Sequence, residues 1–533
     1  MKRLLLAFMF ILSACAEKEN LPWNRVTDDE TEEFSHDMIV LGEQLKDPYS
    51  VSNMTKALEN VSPAAASGRG SIQATDFYVR FLPRDEAQFQ ELMDLGLKML
   101  DHPLDYRIIR DGDWYHDPSL PEDSFTWQYA VVPVDFEFPK DIRYERLEDC
   151  YLTEHDPATK ADGIDWLAVE EEAYRLTGNL DLFRPGTKAG GAINPEGYIT
   201  IMDPDHSPEP IGVKGVEVCC NSFVKIATGY TDEKGHYKLN RKYSSDVHYR
   251  LVFRNVKGFC QGANLVLIPA SVSTLGKQGP EGCTVTLDSS SEPFLFTRCV
   301  VNNAGYDYIQ AAEKSGNSIP PPPRNLRIWD IPVLDFSFNV MMHQGVILET
   351  FEPLHLVLGV YTIIAKTVQA DAYIGMGGYS SYNDVYKRAL LVFAHGGHFS
   401  KVGKDWWQHY VLSTVGSLVG NLSTELIGIT LPEEMAYVKL ANMYAAYCQA
   451  ILYRRNYPDS PDSFFTSSDY SPQLLLFLDE RGLTLEQIAP LFTTEVADID
   501  MLKLKMLSYY PEFKTVINEA FARYGEQYTD DDK

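Results

Sequence analysis

The spacing of apolar positions changes along the chain, and the first changes predict a mixture of strands and one helix. From Asp76 to Phe81 the chain alternates as a strand does, whereas residues 85–100 place Phe89, Leu92 and Leu97 at helical spacing. A second strand-like run covers residues 127–138. We therefore expect a small α/β domain over residues 70–160.

The middle of the chain is predicted to be a β-sandwich over residues 195–292. It follows residues 161–194, where we expect a helix at 166–176 and then a Gly/Pro-rich linker. Short apolar runs separated by turn residues begin at Tyr198, Gly212, Lys225, Tyr237 and Tyr249. The segment 228–237, with its Asp-x-x-Gly turn, resembles the hairpin of transthyretin-like, carboxypeptidase-regulatory modules. That resemblance implies a non-catalytic spacer.

Helical spacing dominates the rest of the chain, after the polyproline connector 319–324. The pattern predicts helices over 384–399, 406–419, 433–453, 473–481 and 498–524. We expect a mainly helical domain over residues 293–533. The predicted fold class is therefore α+β with several domains.

The N-terminus predicts export and a lipid anchor. Lys2 and Arg3 precede an apolar run from Leu4 to Leu12, which is too short to span a bilayer but is typical of a signal peptide, here residues 1–14. The run ends in Leu-Ser-Ala-Cys15, which resembles the bacterial lipobox. The resemblance implies cleavage before Cys15 and lipid attachment to it, the alternative being a Cys that merely ends a cleaved signal.

Behind Cys15, residues 15–69 are predicted to be an acidic tether. Asp28, Asp29, Glu30, Glu32 and Glu33 give this stretch little to bury. An acidic segment after a lipidated Cys resembles the surface-export signal of lipoproteins of the Bacteroidota. We therefore expect an outer-membrane lipoprotein, bound to the membrane through Cys15 and facing the cell surface or the periplasm.

Charge and cysteine content exclude several classes of protein. With 75 acidic and 47 basic residues the net charge is −28, which repels nucleic acid. A hydrophobic content of 45% is that of a folded protein and excludes disorder of the whole chain. The seven cysteines after Cys15 show no CxxC spacing, which argues against a zinc knuckle. The sequence leaves open one disulfide, between Cys260 and either Cys283 or Cys299.

One predicted helix contains polar residues whose spacing resembles that of a catalytic motif. Ser381 and Asp384 are spaced as a helix N-cap and an acid three residues later, and the helix continues through His395 and His398. With the preceding strand 371–375 and a following Trp pair, it resembles the zincin-type metallopeptidase-like lipoproteins of the Bacteroidota, whose intact members have HExxH here. In HExxH, two His at i and i+4 bind one Zn²⁺ and the Glu activates a bound water.

This sequence departs from that pattern at the catalytic residues. His395 is the second His, but Leu391 stands at the first His position and Val392 at the Glu position. The resemblance implies a third ligand, a Glu, on a later helix, and Asn442 stands there. Losing two protein ligands weakens zinc binding by roughly 10⁴-fold or more, and losing the base costs about 10²- to 10⁴-fold in rate.

We therefore predict a degenerate, non-catalytic member without a cofactor. Its predicted role is binding or scaffolding at the cell envelope, with an envelope protein, a glycan or a peptide as ligand. The alternative is an active zinc-dependent peptidase or other hydrolase that uses a non-standard site around His395 and His398. Such a site would need further ligands, for which the candidates are Glu433, Glu434 and His343.

Overall fold

The computed structural model describes residues 38–69, 72–121, 124–160, 162–184, 191–262, 270–331, 337–346, 370–375, 381–419, 435–460 and 472–525. Helices and several separate β-sheets make up these stretches. This confirms the predicted α+β class.

The first region contains a three-stranded antiparallel sheet and a two-stranded one. Its elements are β1 Val40–Gln44, α1 Val51–Val61, α2 Pro63–Arg69, β2 Asp76–Leu82, α3 Glu86–Asp94, β3 Tyr106–Arg110, β4 Gln128–Pro133 and β5 Arg143–Cys150. β2 lies between β4 and β5, and β1 pairs with β3. The strand and helix predicted from residues 76 and 85 are confirmed. The helix stops early because Gly96, with φ +73°, ends it in the left-handed conformation.

The predicted tether of residues 15–69 is too long. Residues 40–44 and 51–69 form β1, α1 and α2. On α1, Met54 and Leu58 are buried with Val169 and Ala173 in one apolar cluster. The acidic residues that predicted a tether all precede residue 38, and these apolar positions after it provide enough burial to order the chain.

The helix α4, Trp166–Thr177, joins the first region to the middle of the chain. Its residue Glu170 is buried and accepts hydrogen bonds from Tyr49 of the first region and from Lys225, whose Nζ is 2.7 Å away. The helix predicted here is confirmed, whereas residues 185–190 of the predicted linker lie outside the described residues. The described ends of that stretch are paired, because Phe183 and Ile193 form bridges to the middle region.

Most of the strands predicted in the middle region are confirmed, and the strands there form two sheets. The run predicted from Gly212 is interrupted at residues 213–215, where Gly215 has φ +64°. The strands are β6 Glu196–Ile201, β7 Ile211–Gly212, β8 Val216–Ser222, β9 Lys225–Tyr230, β10 His236–Lys238, β11 Val247–Asn255, β12 Phe259–Gly262, β13 Val272–Gln278 and β14 Val285–Leu287. One sheet has β6 between β10 and β14, with β7 also on β6; the other runs β9–β8–β11, with β12 and β13 on β11. Ile199, Val218 and Leu251 from the two sheets share one core.

The Asp-x-x-Gly turn is present but does not close a hairpin. It connects β9 to β10, which belong to different sheets. Asp232 Oδ1 accepts hydrogen bonds from the backbone N–H groups of Lys234 and His236, at 2.8 and 2.9 Å. Gly235 has φ +77°, and a Cβ there would lie 2.0 Å from the Ile199 carbonyl oxygen, so only glycine fits. The turn carries the chain from one sheet to the other.

The last region is mainly helical, as predicted. Its elements are α5 Pro293–Lys314, β15 Leu326–Ile331, β16 Phe338–Asn339, β17 Ala372–Gly375, α6 Tyr382–Val402, α7 Lys404–Val419, α8 Met435–Asn456, α9 Gln473–Asp479, α10 Leu485–Ile488, α11 Ile499–Tyr509 and α12 Lys514–Tyr524. The helix predicted over 498–524 is split into α11 and α12, because Pro511 cannot continue the hydrogen-bond pattern of α11.

The predicted boundary between residues 292 and 293 does not separate two cores. β12 of the middle region pairs in parallel with β15, β15 with β17, and β17 antiparallel with β16. The sheet therefore continues across the boundary. Leu251, Val300 and Phe393 share one buried cluster. A parallel pair needs a long crossover, and α5 lies within the connection from β12 to β15.

Candidate functional site

The helix α6 carries the residues that resemble a degraded zinc motif. It begins as predicted: Ser381 Oγ accepts a hydrogen bond from the Asp384 backbone N–H at 3.1 Å and donates one to the Asp384 carboxylate at 2.7 Å. The strand predicted before it, β17, is also present. α6 packs against α8 and α5, which fixes its position in the core.

His395 and Asn442 are in direct contact, although 47 positions separate them in the sequence. His395 Nε2 lies 2.9 Å from Asn442 Oδ1. An amide oxygen only accepts, so the imidazole donates from Nε2 and that nitrogen is protonated. Burial lowers the pKa of His395 to about 4, so the ring is neutral near pH 7. Asn442, which stands at the third-ligand position that the resemblance implies, thus occupies one of the two ring nitrogens of His395.

The two apolar residues of the motif are packed into the core. Val392 is 1% exposed, and Leu391 is partly buried against the same cluster. The backbone carbonyl of Val392 accepts a hydrogen bond from Asn339 Nδ2 at 3.1 Å, which ties α6 to β16. Neither side chain offers a lone pair to a metal or a proton acceptor to a water. The residues at these positions do not fit a zinc ion.

His398 lies in an aromatic enclosure. Its side chain is fully buried, and within the described residues neither ring nitrogen has a hydrogen-bond partner. Burial lowers the pKa of His398 far below its ordinary value. Four rings surround it at centroid distances of 4.7–6.1 Å: Trp406, Trp407, Tyr444 and Phe492. These rings contact His398 as packing partners and supply no metal ligand.

The two glycines between the histidines have a structural purpose. The polyproline segment, predicted to be a connector, packs directly on α6, with Pro320 and Pro322 buried. A Cβ on Gly396 would lie 2.9 Å from Pro322 Cβ, and a Cβ on Gly397 would lie 2.4 Å from the Pro320 carbonyl oxygen. Tyr308 on α5 donates a hydrogen bond to that oxygen at 3.1 Å. The Gly-Gly pair therefore permits a close approach of two backbones.

The further ligands of the alternative metal site are not brought together in the described chain. Glu433 and Glu434 lie outside the described residues. Among the residues that the structure describes, no group of three or more His, Cys, Asp or Glu side chains has an arrangement that could bind a metal ion. The cysteines of the described stretches are all buried thiols, and none of them forms a disulfide.

A second polar constellation was not found by sequence reasoning. The Asp203 carboxylate accepts a hydrogen bond from His206 Nδ1 at 2.8 Å, and His206 Nε2 lies 2.7 Å from the Tyr453 hydroxyl. Tyr457 stacks on the His206 ring at 3.9 Å. The only sequence signal is the Asp-x-x-His spacing, which predicts nothing about a partner 247 residues away. The group ties the loop after β6 to the end of α8.

Comparison with known proteins gives no match: no family model, no curated protein and no solved structure is similar to this chain. The resemblance to zincin-type lipoproteins therefore depends on the residues of α6 and α8 themselves. The predicted signal peptide and Cys15 lie outside the described residues. Within the described stretches, no helix combines the length and the apolar character needed to cross a membrane.

Proposed function

We propose that this protein is a cell-envelope lipoprotein whose last region is a degenerate zincin-like domain with a binding or scaffolding role. The lipid on Cys15 would anchor it to the outer membrane, facing the cell surface or the periplasm. Its ligand would be an envelope protein, a glycan or a peptide. No cofactor takes part in this role.

The contact between His395 and Asn442 is the observation that carries the proposal. The resemblance pairs these two positions as metal ligands on two helices, and their side chains are 2.9 Å apart. This proximity supports the equivalence of α6 and α8 with the two ligand-bearing helices of a zincin. It also supports loss of the metal, because the hydrogen bond leaves one ring nitrogen of His395 protonated, and a protonated nitrogen cannot bind zinc.

The positions at Leu391 and Val392 support the non-catalytic part of the proposal. A zincin needs a ligand at the first position and a base at the second. An aliphatic side chain in each removes both functions, and Val392 is closed off from solvent. A peptidase mechanism would need another water-activating group near His395.

The second candidate function is an active hydrolase with a non-standard site around His395 and His398. One observation favours it: in the described chain both nitrogens of His398 lack hydrogen-bond partners three residues from His395. Against it, the rings that enclose His398 exclude solvent, and a water nucleophile needs access. We therefore prefer the binding role.

Zinc content decides between the two. Elemental mass spectrometry should find far less than one equivalent of zinc in the purified protein. A chelator should not lower its melting temperature, because no bound metal ion stabilises the fold. The matched gain-of-function variant is Leu391→His combined with Val392→Glu and Asn442→Glu. It should bind zinc more tightly than the unmodified protein if α6 and α8 have zincin geometry.

Stoichiometric zinc in the unmodified protein, lost on His395→Ala, would contradict the non-catalytic proposal and favour the hydrolase. If the triple variant folds but binds no more zinc than the unmodified protein, the equivalence of α6 and α8 with zincin helices is wrong. Circular dichroism must show that each variant is folded, because the new polar side chains at buried positions cost about 1–3 kcal/mol each.

A further inference from the structure

Three polar side chains are buried where β12 and β15 end. Gln261 is the penultimate residue of β12 and Asp330 of β15, and Arg298 is on α5; none is more than 1% exposed. In the parallel pairing Gln261 lies opposite Ile328, so Gln261 and Asp330 point to the same face of the sheet. α5 packs against β12. The three side chains come from three elements, and none of these elements carries His395 or Asn442.

Five polar atoms of this group have no hydrogen-bond partner within the described chain. They are Arg298 Nε, both carboxylate oxygens of Asp330 and both amide atoms of Gln261. Arg298 Nε lies 3.9 Å from an Asp330 oxygen, which is too far for a direct hydrogen bond. Arg298 Nη1 donates to Ser273 Oγ at 3.1 Å, so the guanidinium is fixed in place. Five buried polar atoms without partners would oppose folding, because each loses its hydration without compensation.

The charges of the group favour a neutral occupant. Two carboxyl groups, Asp113 and Asp330, face the single guanidinium of Arg298. The Asp113 carboxylate is fixed by the Thr274 backbone N–H, which donates to it at 3.0 Å. Burial raises the pKa of Asp330 to about 7, so its carboxyl group carries a proton in a large share of molecules near neutral pH. With the guanidinium already balanced, an added ion would bring an uncompensated buried charge.

We propose that Gln261, Arg298 and Asp330 form a buried binding site for a neutral hydroxyl group. The hydroxyl oxygen accepts from Arg298 Nε–H and from the Gln261 amide N–H, and its hydrogen is donated to the Asp330 carboxyl group. A water molecule or the hydroxyl of a small polar ligand has this chemistry. The site is separate from the proposed function of α6 and stands or falls without it.

A crystal structure of the full chain, at a resolution that orders water, tests the site directly. We expect an oxygen within hydrogen-bond distance of both Arg298 Nε and an Asp330 oxygen. Native mass spectrometry of the same preparation separates the two sources, since a bound organic ligand adds mass that denaturation removes and a water does not. An empty site, or a direct hydrogen bond between Arg298 and Asp330, would overturn the proposal.

A pair of variants tests the site in solution. Gln261→Met removes the two amide atoms and keeps the approximate volume, and Gln449→Met does the same to an amide that donates to the Lys387 carbonyl oxygen at 2.6 Å. If an occupant binds the Gln261 amide, both variants lower the melting temperature. If the amide atoms of Gln261 are bare, Gln261→Met raises the melting temperature while Gln449→Met lowers it, and the proposal fails.

Discussion

His395 should make the protein less stable as the pH falls from neutral, and His395→Gln should remove this dependence. Burial lowers the pKa of His395 in the folded protein to about 4, against an ordinary value of 6.5. The unfolded chain exposes the ring and binds a proton near pH 6.5, so acid favours the unfolded state. The contribution of neutral His395 to the free energy of unfolding is therefore fully present above pH 6.5 and is lost as the pH falls towards 4.

The size of the effect follows from the two pKa values. Each pH unit between them changes the free energy of unfolding by about 1.4 kcal/mol, which amounts to about 3 kcal/mol in total. Between about pH 7.5 and about pH 5.5 the same linkage gives about 1.3 kcal/mol. This interval stays above the isoelectric point of 4.8, near which an acidic protein precipitates. Glutamine can keep a hydrogen bond to Asn442 and does not titrate.

Chemical denaturation at the two pH values measures the effect. The free energy of unfolding of the unmodified protein should fall more between them than that of His395→Gln, by about 1.3 kcal/mol. The buried Asp330, which also titrates, is present in both proteins, and its contribution cancels in the difference. Gln449→Met, which replaces a buried side chain that does not titrate, is the control and should keep the full dependence. An equal fall in the unmodified protein and in His395→Gln would refute the reasoning.

Two further predictions concern the polyproline contact and the anchor. Gly397→Ala should lower the free energy of unfolding by about 1–3 kcal/mol, because its Cβ would lie 2.4 Å from the Pro320 carbonyl oxygen. Denaturation of this variant beside Gly191→Ala, whose Cβ meets nothing within 4 Å, checks this; equal stability of the two would speak against it. Cys15→Ser should release the protein from the membrane fraction or block its maturation, because stable anchoring needs the acyl chains expected on Cys15. Unchanged partitioning in cell fractionation would contradict the anchor.

Local pattern was enough to predict most elements. The strands from Asp76, Tyr198 and Tyr249 and the helix from Ser381 were predicted because period and capping are properties of neighbouring residues. The points at which helices end were harder to predict. Gly96 ended α3 early, and the pattern alone did not show that a single glycine would prevail over several apolar positions at helical spacing.

Local sequence patterns do not predict contacts between residues that are far apart in the chain. The sheet that joins β12 to β15 depends on pairing across α5, and no local signal at residues 292–293 reveals it. At the site, the resemblance led to His395 and Asn442, which are in contact. The aromatic enclosure of His398 was not predicted, because its rings come from separate helices and loops. The same holds for His206 and Tyr453, which only tertiary packing brings together.

The parallel pairing of β12 with β15 has a consequence for how the chain reaches its native state. Cys260 on β12 pairs with Arg327, and Ile328 pairs with Ala372, so the middle sheet cannot be completed until about a third of the last region has been synthesised. Such non-local pairing makes folding slow and leaves strand edges exposed in the meantime. Until β15 and β17 have been synthesised, one edge of β12 is unpaired, and an unpaired strand edge is a site at which another chain can pair.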